Sequence, residues 1–480
     1  MTPPASTPRL RGPGLCILLA GQLLPMIDFS IVNVALDAIS QSLHATETQL
    51  EMVVAGYGVA FAVFLAMGGR LGDNFGRRRL FIIGVVLFAV ASLLCGLAGS
   101  VWELLAARVV QGIAAALVVP QVLATIHVGL RGRRHARALG FYAAIGGLAF
   151  IIGQVLGGLL ISLDLAGQGW RSVFLINLPI CVGILALTRR WVPETRRSDT
   201  VSIDVPGTML LGLIITFLLV PLALGPSLHW SWPCLALLAA VLPLLLALRQ
   251  IELRQERRGG GALLPPSLVR LPSVRFGLLV AVLFFSCWSG FMFAMALTLQ
   301  AGAGLSPLQS GNAFILLGAA YSVASLLSTR AVKRFGLIPT LVLGCAIQMS
   351  GLLGLMLTLS LVWPHLSLAN LAPATMLIGF GQAFIVSCFF RIGLSDVPAE
   401  QAGAGSAMLT TVQQASFGLG SALLGGVFAQ TLQPQGDHRH AALSTLAVEW
   451  GLMLILVGAC VVYGRQRAPV STPAAAPQEG

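Results

Sequence analysis

Charge is scarce in this chain of 480 residues. Asp, Glu, Lys and Arg together make up 10% of it, whereas roughly a quarter of a soluble domain is charged. Hydrophobic residues make up 56%, and the mean hydropathy is +0.89. This composition excludes an ordinary water-soluble domain and indicates a protein that lies in a membrane.

The sequence also lacks the residue patterns of metal centres, disulfide frameworks and common catalytic sites. Its eight cysteines are isolated from one another in apolar runs, which is typical of small buried side chains. His438 and His440 lie near Asp437, a group that fits a solvated polar loop better than a weak metal site. Because no nucleophile–base pair or phosphate-binding loop is recognisable in the sequence, we expect no enzymatic activity.

Long apolar runs recur from one end of the chain to the other. In lipid every backbone polar group must be bonded within its own segment or barrel, and the runs are too long and too evenly apolar for barrel strands. They are therefore predicted to be helices. Counting from turn to turn predicts fourteen transmembrane helices, at 14–38, 49–69, 80–98, 102–124, 138–162, 172–190, 204–224, 232–250, 276–299, 310–329, 339–361, 369–391, 405–430 and 442–463.

Basic residues are distributed asymmetrically between the predicted loops. Of the 29 Lys and Arg residues, all but Arg108, Arg171 and Arg439 fall at or near one side of the predicted helices. Because basic loops stay in the cytoplasm, both termini are predicted to be cytoplasmic, which an even number of helices permits. The net charge of +12 therefore reflects membrane topology, and we expect no nucleic-acid partner.

The chain contains a degenerate internal repeat. Arg70 and Gly76 recur as Arg330 and Gly336 after a constant shift, which indicates two related halves. The predicted regions are a cytoplasmic tail at 1–13, a six-helix half at 14–190, a linker with two extra helices at 191–275, a second six-helix half at 276–463 and a disordered cytoplasmic tail at 464–480.

The segment between the second and third predicted helices, Gly69–Arg79, reads GRLGDNFGRRR. It resembles the cytoplasmic loop between helices 2 and 3 of the major facilitator superfamily. A generic basic loop would account for the arginines but not for three glycines and Asp73 in the register of the family. The resemblance implies that Asp73 contacts the start of helix 11 in the outward-open state, within a gating loop formed by Gly69, Gly72, Asp73, Gly76, Arg77 and Arg78.

Three further segments resemble the fourteen-helix drug:proton antiporter branch of that superfamily. They are DFSIVNVAL in Asp28–Leu36, ARVVQGIA in Ala107–Ala114 and GQVLGG in Gly153–Gly158. The resemblance implies an all-α integral membrane protein with the major facilitator fold, two six-helix halves and two extra central helices. It also implies proton-coupled efflux of lipophilic or amphipathic compounds by alternating access, as in antibiotic and multidrug resistance. We accordingly expect a monomer in the bacterial inner membrane, with the lipid bilayer, the substrate and the proton as partners and no cofactor.

Two positions depart from the pattern of the branch. Gln154 stands where the helix 5 motif has proline, and Asp37 stands where the helix 1 motif ends in proline. Because the missing proline weakens the inference of antiport, a uniporter or symporter of a small metabolite remains the alternative.

Asp28 and Arg108 are predicted to form the proton-coupling site. Asp28 lies about 14 residues into an outward-running helix, or roughly 21 Å, and Arg108 about six residues into an inward-running helix, or roughly 9 Å. Both positions fall in the outer third of a hydrocarbon core roughly 30 Å thick. An intramembrane charge needs a partner, water or a function, so we expect these two side chains to meet. A static structural ion pair is the alternative.

Other polar residues within the predicted helices are candidates for the substrate path. For each of them, a hydrogen bond between helices is an equally good explanation. Glu449 in the last helix is not assigned to the path, and the Phe and Met residues of Phe291–Met295 fit either an adaptable substrate surface or lipid-facing packing. The polar candidates for the path are Asn33, Gln111, Gln121, Gln154, Asn312, Gln382 and Gln413, and the glycines Gly112, Gly157 and Gly158 of the resembling segments are assigned to it with them.

Overall fold

The computed structural model gives the chain an almost wholly helical structure, and no β-strand occurs in the part of the chain that it describes. The outer parts of both predicted tails, at 1–9 and 468–480, lie outside this part. The described residues are 10–164, 167–195, 204–225, 228, 230–257, 264–398, 401–432 and 436–467.

Fourteen long helices follow one another along the described chain. Thirteen of them are long and apolar enough to cross a membrane, and α5 has 32 residues with a shorter described apolar stretch at Ile151–Leu163. The predicted fold class is confirmed. The helices are α1 (Gly12–Leu43), α2 (Glu47–Phe75), α3 (Arg77–Leu97), α4 (Val101–Gly129), α5 (Gly132–Leu163), α6 (Gly169–Trp191), α7 (Val205–Leu224), α8 (Trp232–Arg257), α9 (Pro272–Gly302), α10 (Pro307–Phe335), α11 (Leu337–Val362), α12 (Leu368–Gly393), α13 (Ala402–Leu432) and α14 (His438–Arg467).

Several helices begin earlier than predicted because their polar first turns are capped by side chains. At the start of α2, Thr46 and Gln49 form a reciprocal capping box, and Ser306 and Gln309 form a second one at the start of α10. The Ser100 side chain accepts a hydrogen bond from the Glu103 backbone at the start of α4. These caps allow short hairpins between successive helices.

Glycines allow the helices within each half to approach one another closely. A Cβ atom at Gly68 of α2 would lie 2.2 Å from the backbone oxygen of Ala116 in α4. In the second half, a Cβ atom at Gly381 of α12 would lie 2.5 Å from the backbone oxygen of Gly344 in α11. Only glycine fits at such contacts, which are typical of helix packing in lipid.

Both described chain ends lie at the same end of the bundle. Leu10 donates a backbone hydrogen bond to Gly129 at the end of α4, and Arg467 at the end of α14 pairs with Asp396 after α12. Hydrogen bonds from Arg467 and Ser273 outweigh the effect of burial and lower the pKa of Asp396. The opposite end of the bundle is called the outer end below, in line with the predicted topology.

The two halves are in contact from the outer end to the middle of the bundle. A Cβ atom at Gly58 of α2 would lie 3.2 Å from the backbone nitrogen of Gly418 in α13. One at Gly158 of α5 would lie 2.5 Å from the backbone oxygen of Pro307 in α10. The molecule is therefore closed at its outer end.

The two extra helices, α7 and α8, pack beside this junction of the halves. Asp204 caps α7 by accepting a hydrogen bond from the Gly207 backbone at 2.9 Å. Ile215 of α7 shares an apolar cluster with Val63 of α2 and Ala422 of α13. The extra pair thus contacts both halves.

Candidate functional site

A buried ion pair joins α1 to α4. Asp28 and Arg108 are both fully buried, and Nη1 of Arg108 lies 2.5 Å from Oδ2 of Asp28. The contact predicted from their depths is thus present. Removing one partner of a buried pair leaves an uncompensated charge and costs about 3–5 kcal/mol.

Three neutral side chains complete a hydrogen-bond network around Asp28. Gln111 donates to Asp28 Oδ1 at 2.9 Å and accepts from Arg108 at 2.8 Å. Asn177 of α6 donates to the same carboxylate oxygen at 2.8 Å. Ser92 of α3 accepts from both amides, at 2.8 Å from Gln111 and 3.2 Å from Asn177. The network therefore joins α1, α3, α4 and α6 around one carboxylate, with α3 linked to it through Gln111 and Asn177.

Arg108 is also held by α2 and by aromatic rings. Its guanidinium carbon lies 4.2 Å from the centre of the Tyr57 ring and 5.9 Å from that of Phe174. Its Nε donates a long hydrogen bond of 3.5 Å to the backbone oxygen of Val53. Nη2 has no hydrogen-bond partner among the described residues. Arg108 can therefore exchange contacts between Asp28 and α2 if the helices move.

A small apolar cavity adjoins this network at the junction of the halves. Tyr57 connects the network to the cavity, because its ring lies over the guanidinium of Arg108 and also lines the cavity. Gln414 of α13 lines the cavity, whereas the predicted Gln413 is only half-buried. The lining residues are Pro25, Met26, Phe29, Tyr57, Gly58, Phe61, Gln414 and Phe417.

Sequence reasoning missed Asn177, Ser92 and Tyr57. Asn177 lies in WRSVFLINLP, a segment at Trp170–Pro179 that is also similar to the antiporter branch, and an intramembrane Asn there was the available signal. Ser92 and Tyr57 stand in ordinary apolar runs, where single hydroxyl groups are common. Nothing in the sequence separates these two from their neighbours.

The predicted gating loop is a sharp corner between two helices and not an extended loop. α2 continues to Phe75, α3 begins at Arg77, and Gly76 between them has φ +106°. Only glycine adopts this conformation readily, and a Cβ atom there would also lie 2.8 Å from the Glu194 carboxylate. The glycine of the motif is therefore required by local geometry.

Asp73, Arg77 and Arg78 of the corner bind one another and the segment that follows α6. Asp73 pairs with Arg77 at 2.6 Å, and the Arg77 backbone donates to Thr195 at 2.9 Å. The Arg78 backbone donates to Glu194 at 3.1 Å. The contact between Asp73 and helix 11 that the family resemblance implies for the outward-open state is not the one seen in this outer-closed structure, and it stays a prediction.

Two glycines of the corner face α4. Gly72 lies against Gln121, whose Nε2 donates to the Gly68 backbone at 2.8 Å, and Gly69 lies in ordinary contact with Pro120. Gln121 thus forms a helix-packing hydrogen bond, which was the alternative to a role in the substrate path.

The other path candidates of the first half divide into two groups. Asn33 donates to backbone oxygens of its own helix, and Gly112 packs closely beneath Tyr57. Gly157 packs against Ile31 of α1. Gln154 and Gly158, in contrast, face the other half, and Nε2 of Gln154 lies 3.6 Å from Sδ of Met292 in α9. Of these candidates, Gln154 and Gly158 lie at the junction.

In the second half, Gln382 of α12 is fully buried and Asn312 is half-buried. Neither polar side-chain atom of Gln382 has a hydrogen-bond partner among the described residues. Phe291, Met292 and Met295 are all buried, so lipid-facing packing is wrong for this stretch of α9.

Glu449 lies inside the second half. It is fully buried in α14, and Gln348 of α11 is its polar neighbour. Asp437 has a structural role at the start of the same helix, because it accepts hydrogen bonds from the backbones of Arg439 and His440. In the described part of the chain, no group of three His, Cys, Asp or Glu side chains is arranged to hold a metal ion.

The sequence profile of the Major Facilitator Superfamily matches residues 18–421. The chain is 36% identical over 431 residues to a probable actinorhodin transporter of Streptomyces coelicolor, covering 88% of this chain and 74% of the relative. It is 31% identical over 419 residues to the multidrug resistance protein Stp of Mycobacterium tuberculosis, covering 86% and 76%. In fold it is similar to a POT family transporter solved in complex with 5-aminolevulinic acid, with a TM-score of 0.68 at 12% identity over 95% of this chain and 99% of the other.

Proposed function

Because the chain belongs to the major facilitator superfamily, we propose that it is a proton-coupled exporter of lipophilic or amphipathic small molecules. Similar proteins named for antibiotic transport and multidrug resistance match it over most of its length, which supports export. The observation that carries the coupling is the buried Asp28–Arg108 pair, which shares Tyr57 with an apolar cavity between the halves.

The coupling step follows from competition for Asp28. As a carboxylate it is stabilised by Arg108 and by two amide donors, Gln111 and Asn177. When a proton neutralises it, the attraction to Arg108 is lost, and the guanidinium moves toward Tyr57 and the backbone of α2. Because Tyr57 also lines the cavity, this movement changes the space available to a substrate.

The proton gradient sets the direction of transport, and alternating access couples proton entry to substrate exit. When the halves separate at the inner end, the small cavity widens and takes up an apolar substrate from the inside or from the inner leaflet. Opening of the outer end then releases the substrate and lets a proton reach Asp28. We place the protein in the bacterial inner membrane as a monomer with both termini in the cytoplasm, as the distribution of basic residues suggests.

The test uses everted membrane vesicles with Asp28→Asn and, as a matched control, Asp37→Asn on the same helix. Asp37 is partly exposed and bonds to Gln41, away from the network. Ethidium, a lipophilic monocation, should collapse a preformed proton gradient in wild-type and Asp37→Asn vesicles. Asp28→Asn should reach the membrane at similar levels and give no collapse.

Gradient-driven ethidium efflux by Asp28→Asn at the wild-type rate would overturn the proposal. Transport by the wild type that ignores the proton gradient would support the alternative, a uniporter. Asp28→Glu, which retains the acid, should restore part of the activity if Asn disturbs folding because Arg108 loses its partner.

A further inference from the structure

Glu51 of α2 is a buried carboxyl group that takes no part in the Asp28 network. Its exposed fraction is 0%. Neither carboxyl oxygen has a hydrogen-bond partner among the residues that the structure describes. It belongs to the second turn of α2, near the outer end of the bundle, where water becomes accessible if the halves separate.

The Glu51 side chain is pressed against the other half of the molecule. A Cβ atom at Gly425 of α13 would lie 2.9 Å from Cγ of Glu51 and 3.0 Å from both Cδ and Oε1. Two turns further inward on α2, Gly58 meets Gly418 of α13. Glu51 thus lies in the closed seam between α2 and α13, and glycine at position 425 provides the room for its carboxyl group.

Among the described residues, no cation is found to offset the charge of Glu51. α13 and α7 contain no charged residue in their sequences, and Arg108 of α4 is engaged by Asp28. The basic residues of α3 lie at its inner end. The charged group that acts on Glu51 is another acid, Glu47, one turn earlier on α2. Asp37 of α1 lies close to Glu47, and Glu103 of α4 bonds to the Gly99 backbone at the outer surface.

We propose that Glu51 is a second proton-binding site, filled from the outer solution, and that its protonation permits the two halves to close at the outer end. When the seam is open, Glu51 meets water and ionises. Burying an ionised carboxylate against α13 without a hydrogen-bond donor or a cation has a large desolvation free energy. Closure of the outer end therefore requires the neutral form of Glu51. Glu47 increases this requirement because a negative charge one turn away disfavours the ionised form of Glu51.

This inference rests on the alternating-access part of the proposed function. It does not rest on the coupling role of Asp28. Asp28 is paired with Arg108 inside the first half, whereas Glu51 lies unpaired between the halves. Acidic outer solution should therefore favour the outer-closed state and alkaline solution the outer-open state.

The experiment measures the distance across the outer end by pulsed EPR in lipid nanodiscs between about pH 5 and pH 8. Spin labels are attached at Gln41→Cys of α1 and Gln430→Cys of α13, both exposed positions at that end. Cys16, the exposed native cysteine among those described, is replaced by serine, and the other seven are buried. The short-distance population should fall as the pH rises in this background.

Glu51→Gln should abolish the pH response and keep the outer end closed throughout, and Glu51→Asp should retain the response. Glu103→Gln is the matched control, since it removes an exposed acid at the same end but outside the seam, and it should leave the response unchanged. Asp28→Asn should also retain the response. If Glu51→Gln fails to fold, Glu51→Ala serves instead, because alanine needs no hydrogen-bond donor and should stay closed as well.

If the pH response survives in Glu51→Gln, this inference alone is overturned. If the response also disappears in Asp28→Asn, the group that titrates is Asp28 and not Glu51. An outer end that stays closed at every pH in the background protein, with or without ethidium, would overturn alternating access together with this inference. The EPR distance is measured without transport. A failure of the proton-coupled efflux assay can therefore be told apart from a failure of this inference.

Discussion

Asp28 is the centre of the buried side-chain hydrogen-bond network that joins α1 to α4 and α6. Its two oxygens receive hydrogen bonds from Arg108, Gln111 and Asn177, and both partner helices also contact Ser92 of α3. A hydrogen bond to a charged group is worth about 1.5–3 kcal/mol. Each donor therefore sets how readily Asp28 gives up its proton.

Asn177→Ala should move the pH dependence of transport to higher pH. The substitution removes a donor that stabilises the carboxylate, so proton release becomes less favourable. At about 1.4 kcal/mol per pH unit, the expected shift is about one to two units. Initial rates of ethidium efflux measured against pH check this, with Asn370→Ala on the exposed start of α12 as control. A profile identical to that of the wild type would mean that Asn177 only packs against α1.

At the scale of elements, α2 is the helix that connects the separate sites. It holds Arg108 through Tyr57, forms the seam with α13 through Glu51 and Gly58, and ends at the corner of Asp73. Its close approach to α4 depends on glycines at two successive turns. A change in its position is therefore transmitted to the coupling site, the seam and the corner.

Gly72→Ala and Gly68→Ala should destabilise the protein to different degrees and for different reasons. A methyl group at position 72 would lie 1.8 Å from Oε1 of Gln121, a side chain that can move, so we expect a loss of about 1–3 kcal/mol. At position 68 it would meet the backbone oxygen of Ala116 at 2.2 Å, and the loss should be larger. Thermal unfolding in detergent measures both.

Combining each glycine substitution with Gln121→Ala distinguishes a clash with a side chain from a clash with the backbone. Gln121→Ala should restore most of the stability of Gly72→Ala, because the obstructing side chain is gone, and should not restore Gly68→Ala. Equal losses in the two single variants, or rescue of both, would contradict the close packing of α2 on α4.

At the scale of the whole molecule, acids are rare along the junction of the halves. α10 and α13 contain none. Glu449 is buried inside the second half, and Glu51 is closed within the seam. Asp28 is occupied by Arg108 or by a proton. Little negative charge is therefore left to compensate a second positive charge on a substrate.

The protein should prefer neutral or monovalent lipophilic substrates to dications. Ethidium and propidium share a ring system, but propidium carries an additional quaternary ammonium group. Burying that uncompensated charge should lower the efficiency of efflux at least about tenfold. Efflux of both dyes from the same vesicles tests this. A clear preference for propidium that is lost when an acid other than Asp28 is neutralised would place the substrate elsewhere.

Several features of this protein were determined by the sequence alone. A spanning helix must match the thickness of the bilayer, and basic loops stay on the cytoplasmic side. The apolar runs and the basic residues therefore predicted the helices and their orientation directly from the sequence. The same counting placed Asp28 and Arg108 at one depth, and the structure joins them at 2.5 Å. The sequence also located the glycines between the second and third predicted helices, but it predicted a loop there, and the positive φ of Gly76 that makes a sharp corner is visible only in the structure.

Only the tertiary structure decided which way each helix faces. In lipid a helix can be apolar on every side, so its sequence carries no stripe that marks the inward face. For this reason the sequence did not reveal that Asn177 and Ser92 reach Asp28, or that Asp73 pairs with Arg77 in the outer-closed state. The rotation of α2 that turns Glu51 toward Gly425 is set by close contacts between glycines distant in the chain, and only the folded protein brings these together.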